Sequence, residues 1–194
     1  MVLVIDTSSS RSALALVAGG EGTAEDVALG GREHDLPGRV LTLVEPRRLE
    51  AVAVVVGPGS FTGLRVGVSY GVGLAMGLGV PLLALGSLEV QAARAAVPAT
   101  PLVEAGRGRL YWWEPGRGEP RLGEPRELPR ALPAVGWLRP ETADAVRAAG
   151  VRALPDEELL GFAAAASAAL GGAERVGYDT VKLKYMQSVR PTMA

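Results

Sequence analysis

The chain has 194 residues, of which 48% are hydrophobic, enough for one domain or two small lobes with a buried core. Its formal net charge of -1 excludes a global positive field that would hold nucleic acid by neutralising phosphates. It contains no cysteine and one histidine, which excludes a disulfide framework, a cysteine nucleophile and a paired-histidine metal site. Because residues 1–6 carry no basic leader, we expect a cytoplasmic protein.

The first half of the chain alternates strand and helix patterns. Apolar runs separated by small polar or glycine turns predict an antiparallel meander of three strands at its start. The predicted strands cover residues 2–6, 12–17, 23–29, 51–56 and 81–85, and the predicted helices cover residues 36–44, 61–78 and 87–96. The order of elements is βββαβαβ followed by a helix, which indicates an α/β first lobe.

The composition changes after Pro98, where prolines become frequent and the pattern less regular. The sequence predicts a hairpin from residues 101–105 and 109–114, a strand at 134–138, and helices at 141–149 and 156–170, the last with Asp156 as its cap. We therefore place a first, partner-binding lobe at residues 1–98 and a second, smaller lobe at residues 99–194. Whether the C-terminal segment packs back on the first lobe stays open.

A glycine-rich corner, "GPGSFTG" at residues 57–63, joins a buried strand to a helix. Free backbone N–H groups at such a corner form a general anion site, although the lysine of a P-loop is absent. The structural alternative is a tight turn whose serine caps the helix. Residues that could form a vestigial phosphate site, counting the turn after the first strand, are Asp6, Thr7, Ser8, Gly57, Gly59 and Ser60.

The helix after this corner carries Gly63, Gly67 and Gly71 at a spacing of four, which places them on one face. Each interior glycine costs about 0.5–1 kcal/mol relative to alanine, so a close contact should compensate. We expect a second helix, from this fold or from another chain, to approach that bare backbone. Gly73 and Gly77 lie elsewhere around the helix and are expected to pack on the sheet.

Few other residues indicate chemistry. Asp6 ends the first strand, where α/β sheets place functional groups, but an aspartate there also forms turns by accepting N–H groups, and both interpretations stay open. His34 is expected at the surface or at the start of a helix. The aromatic run at residues 111–113 is typical of a half-buried strand rather than of base stacking, and no nucleophile triad is visible.

Three segments resemble the TsaB family, also called YeaZ: "VLVIDTSSSRSALALV" at residues 2–17, residues 54–89 with their "GPGSFTGLR", and "EAGRGRLY" at residues 104–111. The GPGSFTGLR stretch is highly specific to that family, and the match covers about residues 1–111. The resemblance implies the α/β fold of actin-like ATPases, sugar kinases and heat-shock chaperones (the ASKHA fold), with a βββαβαβα first lobe and a reduced second lobe.

The resemblance also implies a non-catalytic subunit of the machinery that makes threonylcarbamoyladenosine beside the tRNA anticodon. The helices at 36–44 and 61–78 are then expected to pack with those of TsaD, the catalytic relative, or with a second copy when the chain is alone. The expected contact residues are Leu36, Val40, Val44, Gly63, Gly67, Tyr70, Gly71 and Leu74. A further ATPase subunit is an expected partner, and tRNA is expected to be reached through the complex. No cofactor is expected, and a nucleotide at the subunit junction stays open.

Two other functions rank lower. A small ATPase or a peptidase-like hydrolase of this fold would use Asp6 and the corner at residues 57–63, but residues 99–194 show no second phosphate turn, and no activated serine is visible. A membrane-bound or purely self-associating protein would rest on the uncharged residues 66–88 alone. Gly79 and Pro81 end that helix too early for a membrane span, so we expect no membrane partner.

Overall fold

Two β-sheets organise the chain in the computed structural model, which describes residues 1–29, 35–114 and 117–184. The six-stranded sheet has the order β10-β5-β4-β1-β2-β3. Its strands are β1 (Val2–Asp6), β2 (Arg11–Ala18), β3 (Glu21–Leu29), β4 (Ala51–Val55), β5 (Leu82–Leu85) and β10 (Glu174–Val176). The predicted meander of β1, β2 and β3 is confirmed, and β1, β4 and β5 run parallel to one another.

The alternation of side chains along the central strands creates two apolar faces. Leu3 and Ile5 of β1 face one side, where they pack with helices α1 (Leu36–Val44) and α2 (Phe61–Leu78). Val4 faces the other side and packs with α3 (Ser87–Ala93) and α5 (Phe162–Leu170). The sheet is therefore covered by helices on both faces, as expected for an α/β lobe.

The second sheet has four strands in the order β8-β7-β6-β9. These strands are β6 (Thr100–Gly106), β7 (Arg109–Glu114), β8 (Arg117–Gly123) and β9 (Ala134–Val135). One face carries Trp112 and packs with Val146 of α4 (Pro140–Ala148), and the other carries Tyr111 and packs with Leu88 of α3. Helix α3 thus lies between the two sheets, and the aromatic run of β7 is part of the core.

Two elements are shorter than the sequence predicts, since the strand at 134–138 ends at Val135 and the helix at 87–96 ends at Ala93, and three further elements differ more strongly. The last helix begins at Phe162, not at Asp156, because Asp156–Glu158 forms a separate 3₁₀ turn and Gly161 is the N-cap. Strand β8 was not predicted, since its sequence RGEPRLG lacks an alternating apolar pattern and contains a proline. Strand β10 was not predicted either; it pairs with β5 at the edge of the first sheet. The C-terminal part of the chain therefore adds an edge strand to this sheet and a helix, α5, that packs on its face.

The predicted surface residue His34 lies outside the described residues. Across residues 1–29, 35–114 and 117–184, no helix has both the length and the apolar character needed to cross a lipid bilayer.

Candidate functional site

The turn after β1 and the glycine-rich corner after β4 lie against each other. The N–H of Ser60 donates to the carbonyl of Ser8 at 2.8 Å, and Thr7 Oγ1 donates to the carbonyl of Gly63 at 2.7 Å. The structure therefore brings together the six residues that the sequence suggested for a vestigial phosphate site, as two turns joined by hydrogen bonds.

This contact closes the corner instead of leaving it open. A Cβ atom added to Gly59 would lie 2.3 Å from the carbonyl oxygen of Ser8, so only glycine permits the approach. Ser60 Oγ accepts the N–H of Gly63 at 3.2 Å and thereby caps α2. The structural alternative, a tight corner with a serine cap, therefore describes this geometry.

Asp6 lies at the bottom of the same turn and is fully buried. Its Oδ1 accepts the N–H of Ser8 at 2.8 Å, and among the described residues its Oδ2 has no hydrogen-bond partner. Burial raises the pKa of Asp6 above its ordinary value, although hydrogen bonding to Ser8 and the charge of Arg94 act in the opposite direction. Asp6 therefore forms a turn inside the fold, and burial favours its neutral form.

A polar cluster joins β2 and the end of α3 to the segments around residues 137 and 156; we call Arg11, Arg94, Trp137 and Asp156 the junction cluster. Asp156 accepts hydrogen bonds from Arg11 and from Arg94, the latter at 3.0 Å. The Trp137 ring contacts both guanidinium groups, with Arg94 at 4.5 Å and Arg11 at 5.6 Å from the ring centroid. One carboxylate and one indole thus hold two arginines at the junction.

The electrostatics of the junction cluster follow from partial burial of opposite charges. Burial acts to raise the pKa of Asp156, but hydrogen bonds from Arg94 and Arg11 outweigh it, so the pKa lies below its ordinary value. Burial lowers the pKa of Arg94, and its bond to Asp156 only partly offsets this effect. Arg94 is 4% exposed, so its charge depends on Asp156 for compensation.

The glycine face of α2 is covered by the chain's own first sheet, which corrects the prediction that a second helix approaches it. A Cβ added to Gly63 or Gly67 would lie 2.0–2.1 Å from the carbonyl or hydroxyl oxygen of Thr7. A Cβ added to Gly71 would lie 2.2 Å from Cγ1 of Val54 in β4. These glycines allow α2 to lie close to β1 and β4, and they do not form an open surface.

The other expected contact residues on α1 and α2 also face inward. Leu36 and Val40 are buried in the core beneath α1, so assigning them to a partner surface was wrong. Val44, Tyr70 and Leu74 are half-buried and pack against the same core. The reason is physical: the apolar stripe of a surface helix is the stripe that its own protein buries.

Burial raises the pKa of Tyr70, and the charge of Asp35 adds to this effect. Asp35 is the N-cap of α1, and its carboxylate accepts the N–H of Gly38 at 2.9 Å. Helix α1 contacts β2 and β3, whereas α2 contacts β1, β4 and β5, and both pack against the same apolar face of the sheet. The two helices therefore lie side by side on the same face of the first sheet.

The opposite sides of these helices form an exposed surface, which we call the outer helix face. Its apolar members include Leu41 of α1 and Val66 and Met76 of α2, each more than half exposed. A Cβ added to Gly73 or Gly77 would meet nothing within 4 Å, so placing these two glycines on the sheet was wrong. The outer helix face consists of Leu41, Thr42, Phe61, Val66, Ser69, Gly73, Met76 and Gly77.

Comparisons with known proteins place this geometry in context. A family model described as "TsaD: tRNA N6-adenosine threonylcarbamoyltransferase" matches residues 42–124, less than half of the chain. The chain is similar to the tRNA threonylcarbamoyladenosine biosynthesis protein TsaB of Bacillus subtilis (strain 168), with 32% identity over 122 residues, covering 57% of this chain and 52% of that protein. It is also similar to TsaB of Escherichia coli (strain K12), with 32% identity over 132 residues, covering 61% of this chain and 56% of that protein.

The chain thus spans about half the length of these curated relatives. Among solved structures it is similar to YeaZ from Pseudomonas aeruginosa, with a TM-score of 0.73 and 22% identity, covering 95% of this chain and 99% of that chain. A second solved structure from P. aeruginosa, described as an uncharacterized protein with similarity to peptidase YEAZ, has a TM-score of 0.66 at 22% identity and covers 96% of this chain and 99% of that chain.

The two-sheet architecture, with a meander followed by parallel strands and helices on both faces, defines an α/β protein of the ASKHA class. Within that class the chain is similar to the curated TsaB proteins at 32% identity over part of their length, and its fold is that of YeaZ.

Nothing in the sequence pattern predicts the junction cluster. Its members come from four distant positions; only Arg11 lies in a segment that carries the family resemblance, and the pattern around Asp156 predicts a helix cap. The available signal was Arg94, a single charge within the otherwise uncharged residues 90–103. A cation in such a position requires a carboxylate from elsewhere in the chain.

Proposed function

We propose that this protein is a non-catalytic scaffold subunit in the biosynthesis of threonylcarbamoyladenosine in tRNA, and that its outer helix face binds a TsaD-type catalytic subunit. The observation that carries the proposal is the exposure of large apolar side chains around two bare glycines on that face. The names of the curated relatives and the match of residues 42–124 to the TsaD family model support the pathway.

The shape of the outer helix face suits a packed protein contact. Val66 and Met76 project apolar groups, and the open backbone at Gly73 between them lets a neighbouring element come closer than a side chain would allow. The contribution from α1 widens this surface, with Leu41 exposed on the same side of the sheet. Without a partner subunit, a second copy of the chain could cover the same surface, so we propose a homodimer for the isolated protein.

The closed corner supports a non-catalytic role. The backbone donors of Ser60 and Gly63 that would bind a phosphate already have partners within the fold, and Asp6 is buried beneath them. An ATPase or hydrolase that used these groups would first have to separate the two turns. In this proposal the chemistry, and any contact with tRNA, belongs to the complex, which includes a further ATPase subunit.

A pair of valines tests the proposal directly. Val66 on α2 and Val97 before β6 are 51% and 53% exposed, so the same change to arginine perturbs the free protein similarly at both positions. The assay is titration calorimetry against the TsaD homologue of the same organism, with analytical ultracentrifugation of the chain alone. We expect Val66→Arg to weaken both heterodimer and homodimer by at least about tenfold, because a buried unpaired cation at a contact is strongly unfavourable.

Val97→Arg is the control and should leave both associations unchanged. Equal affinities for the parent protein and the Val66→Arg variant would exclude the outer helix face as the contact. No binding by the parent protein would refute the scaffold role itself. Turnover of ATP by the isolated chain, lost in the Asp6→Asn variant, would establish the hydrolase alternative instead.

A further inference from the structure

Helix α1 has few apolar contacts with the rest of the protein. It has nine residues, of which Leu36 and Val40 are buried and Leu43 and Val44 are half-buried against the same core, and an isolated helix of that length is not stable in water. It lies on β2 and β3, and β3 is an edge strand that pairs with β2 alone. The position of α1 must therefore depend on specific contacts beyond its small apolar stripe.

Arg39 provides these contacts. Its Nε and Nη2 bind the two carboxylate oxygens of Asp26 at 3.0 and 3.1 Å, which is a bidentate pair. Its Nη1 donates to Ser12 Oγ at 2.9 Å, and Nη2 also donates to the carbonyls of Ser12 at 2.9 Å and Asp26 at 3.2 Å. One planar group thus binds side-chain and backbone oxygens on both β2 and β3.

We call Arg39 with its partners Asp26 and Ser12 the clamp. Its geometry determines the orientation of α1 on the sheet as well as its distance from the sheet. A guanidinium presents its donors in a rigid plane, so contacts to two strands define how α1 is rotated and shifted on the sheet. The side chain of Arg39 is 15% exposed and that of Ser12 is buried, so much of the clamp is shielded from solvent. Lysine, with one ammonium group on a flexible stem, cannot make the same set of contacts.

We infer that Arg39 is a positioning residue for partner recognition. It sets α1 on β2 and β3 and thereby determines how Leu41 is presented next to α2 in the outer helix face. This inference rests on the proposed function, because it assumes that the outer helix face binds the partner. The orientation of α1 itself can be measured without any partner.

The test uses the full chain with Arg39→Gln, Arg39→Lys and Asp26→Asn. The control is Arg47→Gln: Arg47 follows the same helix, is exposed, and its side chain donates to the carbonyl of Leu43 within that helix. Hydrogen–deuterium exchange of α1 is measured on the free protein, and affinity for the TsaD homologue is measured by calorimetry. Thermal unfolding reports on the fold as a whole.

We expect all three clamp variants to exchange α1 amides at least about tenfold faster and to bind the partner at least about tenfold more weakly, which is the scale of a lost bidentate charged pair. Arg39→Lys should not restore either property. Exchange in the central strands β1 and β4 should stay at the parent level, which distinguishes a shifted helix from a destabilised fold. Arg47→Gln should match the parent protein.

Unchanged α1 exchange in Arg39→Gln would overturn the inference, regardless of the affinity measured for the TsaD homologue. Faster α1 exchange with full partner affinity would also overturn it, since the helix position would then not matter for recognition. If Arg39→Lys kept both the parent α1 exchange and the parent affinity, a positive charge alone would hold α1, and the role assigned to the guanidinium geometry would be wrong. If the parent protein does not bind the TsaD homologue, the proposed function fails, while the exchange experiment still decides whether Arg39 holds α1.

Discussion

Two glycines on opposite sides of α2 give the sharpest test of the packing described above. At Gly71 a new methyl group would lie 2.2 Å from Cγ1 of Val54, a fully buried side chain in the centre of the sheet. At Gly73, two positions along the same helix, a methyl group would meet nothing within 4 Å. We therefore expect Gly71→Ala to destabilise the protein and Gly73→Ala to stabilise it.

The magnitude follows from two effects. Replacing an interior helix glycine with alanine gains about 0.5–1 kcal/mol at either position, because the unfolded chain loses freedom. Overpacking a tight core costs about 1–3 kcal/mol, and only Gly71 incurs this cost. Because the first effect is common to both variants, their free energies of unfolding should differ by about 1–3 kcal/mol.

Urea denaturation at equilibrium measures this difference, with the slope m checked to be equal in both variants. The corresponding separation of melting temperatures is about 2–4 °C for each kcal/mol in a chain of this size. If both alanine variants were stabilised equally, the Gly71 side of α2 would have to be as open as the Gly73 side. The assignment of inner and outer faces would then be wrong.

Two further predictions concern pH. The pKa of Asp156 lies below its ordinary value, so its ion pairs with Arg11 and Arg94 stabilise the protein fully above the unfolded-state pKa. This stabilisation is lost as the pH falls through the folded-state pKa, from about pH 4 downward. In Asp156→Asn the free energy of unfolding should therefore depend less on pH in this acidic range. Burial raises the pKa of Asp6, so the shift runs the other way: its contribution is lost as the pH rises above the unfolded-state pKa. Asp6→Asn does not titrate, and its stability relative to the parent protein should rise from pH 4 to pH 7, measured by urea denaturation at each pH; a constant difference would mean that Asp6 titrates normally.

The elements that the sequence predicted well are those with a strong local pattern. The apolar runs of β1 and β4 are short and rich in valine, and α2 is a long apolar segment that begins after a turn, so length and residue type together favour one element type for each. The edge strands β8 and β10 consist mostly of polar residues and glycine, and β10 has only three residues, so nothing local distinguishes them from loops. Strand β8 forms by pairing with β7, and β10 forms by pairing with β5, which lies about 90 residues earlier in the chain.

The candidate site was predicted less well, for a related reason. Periodicity shows that the glycines of α2 share a face, but it does not show what covers that face. A helix surface without side chains can pack closely against either a strand or another helix. Here Thr7 and Val54 of the same chain pack against it. The contacts of Arg39 and the junction cluster join common residue types that are far apart in the sequence, so they produce no recognisable spacing pattern.

The placement of the two sets of glycines links the closed corner to the outer helix face. Gly63 and Gly67 let α2 lie against the turn after β1, and the same approach brings Ser60 to Ser8 and closes the corner. A helix held that close to the sheet cannot use its inner side for any partner. The side of α2 that stays exposed is the outer one, where Gly73 leaves the backbone open. The packing that closes the corner therefore also determines which surface of α2 remains for recognition.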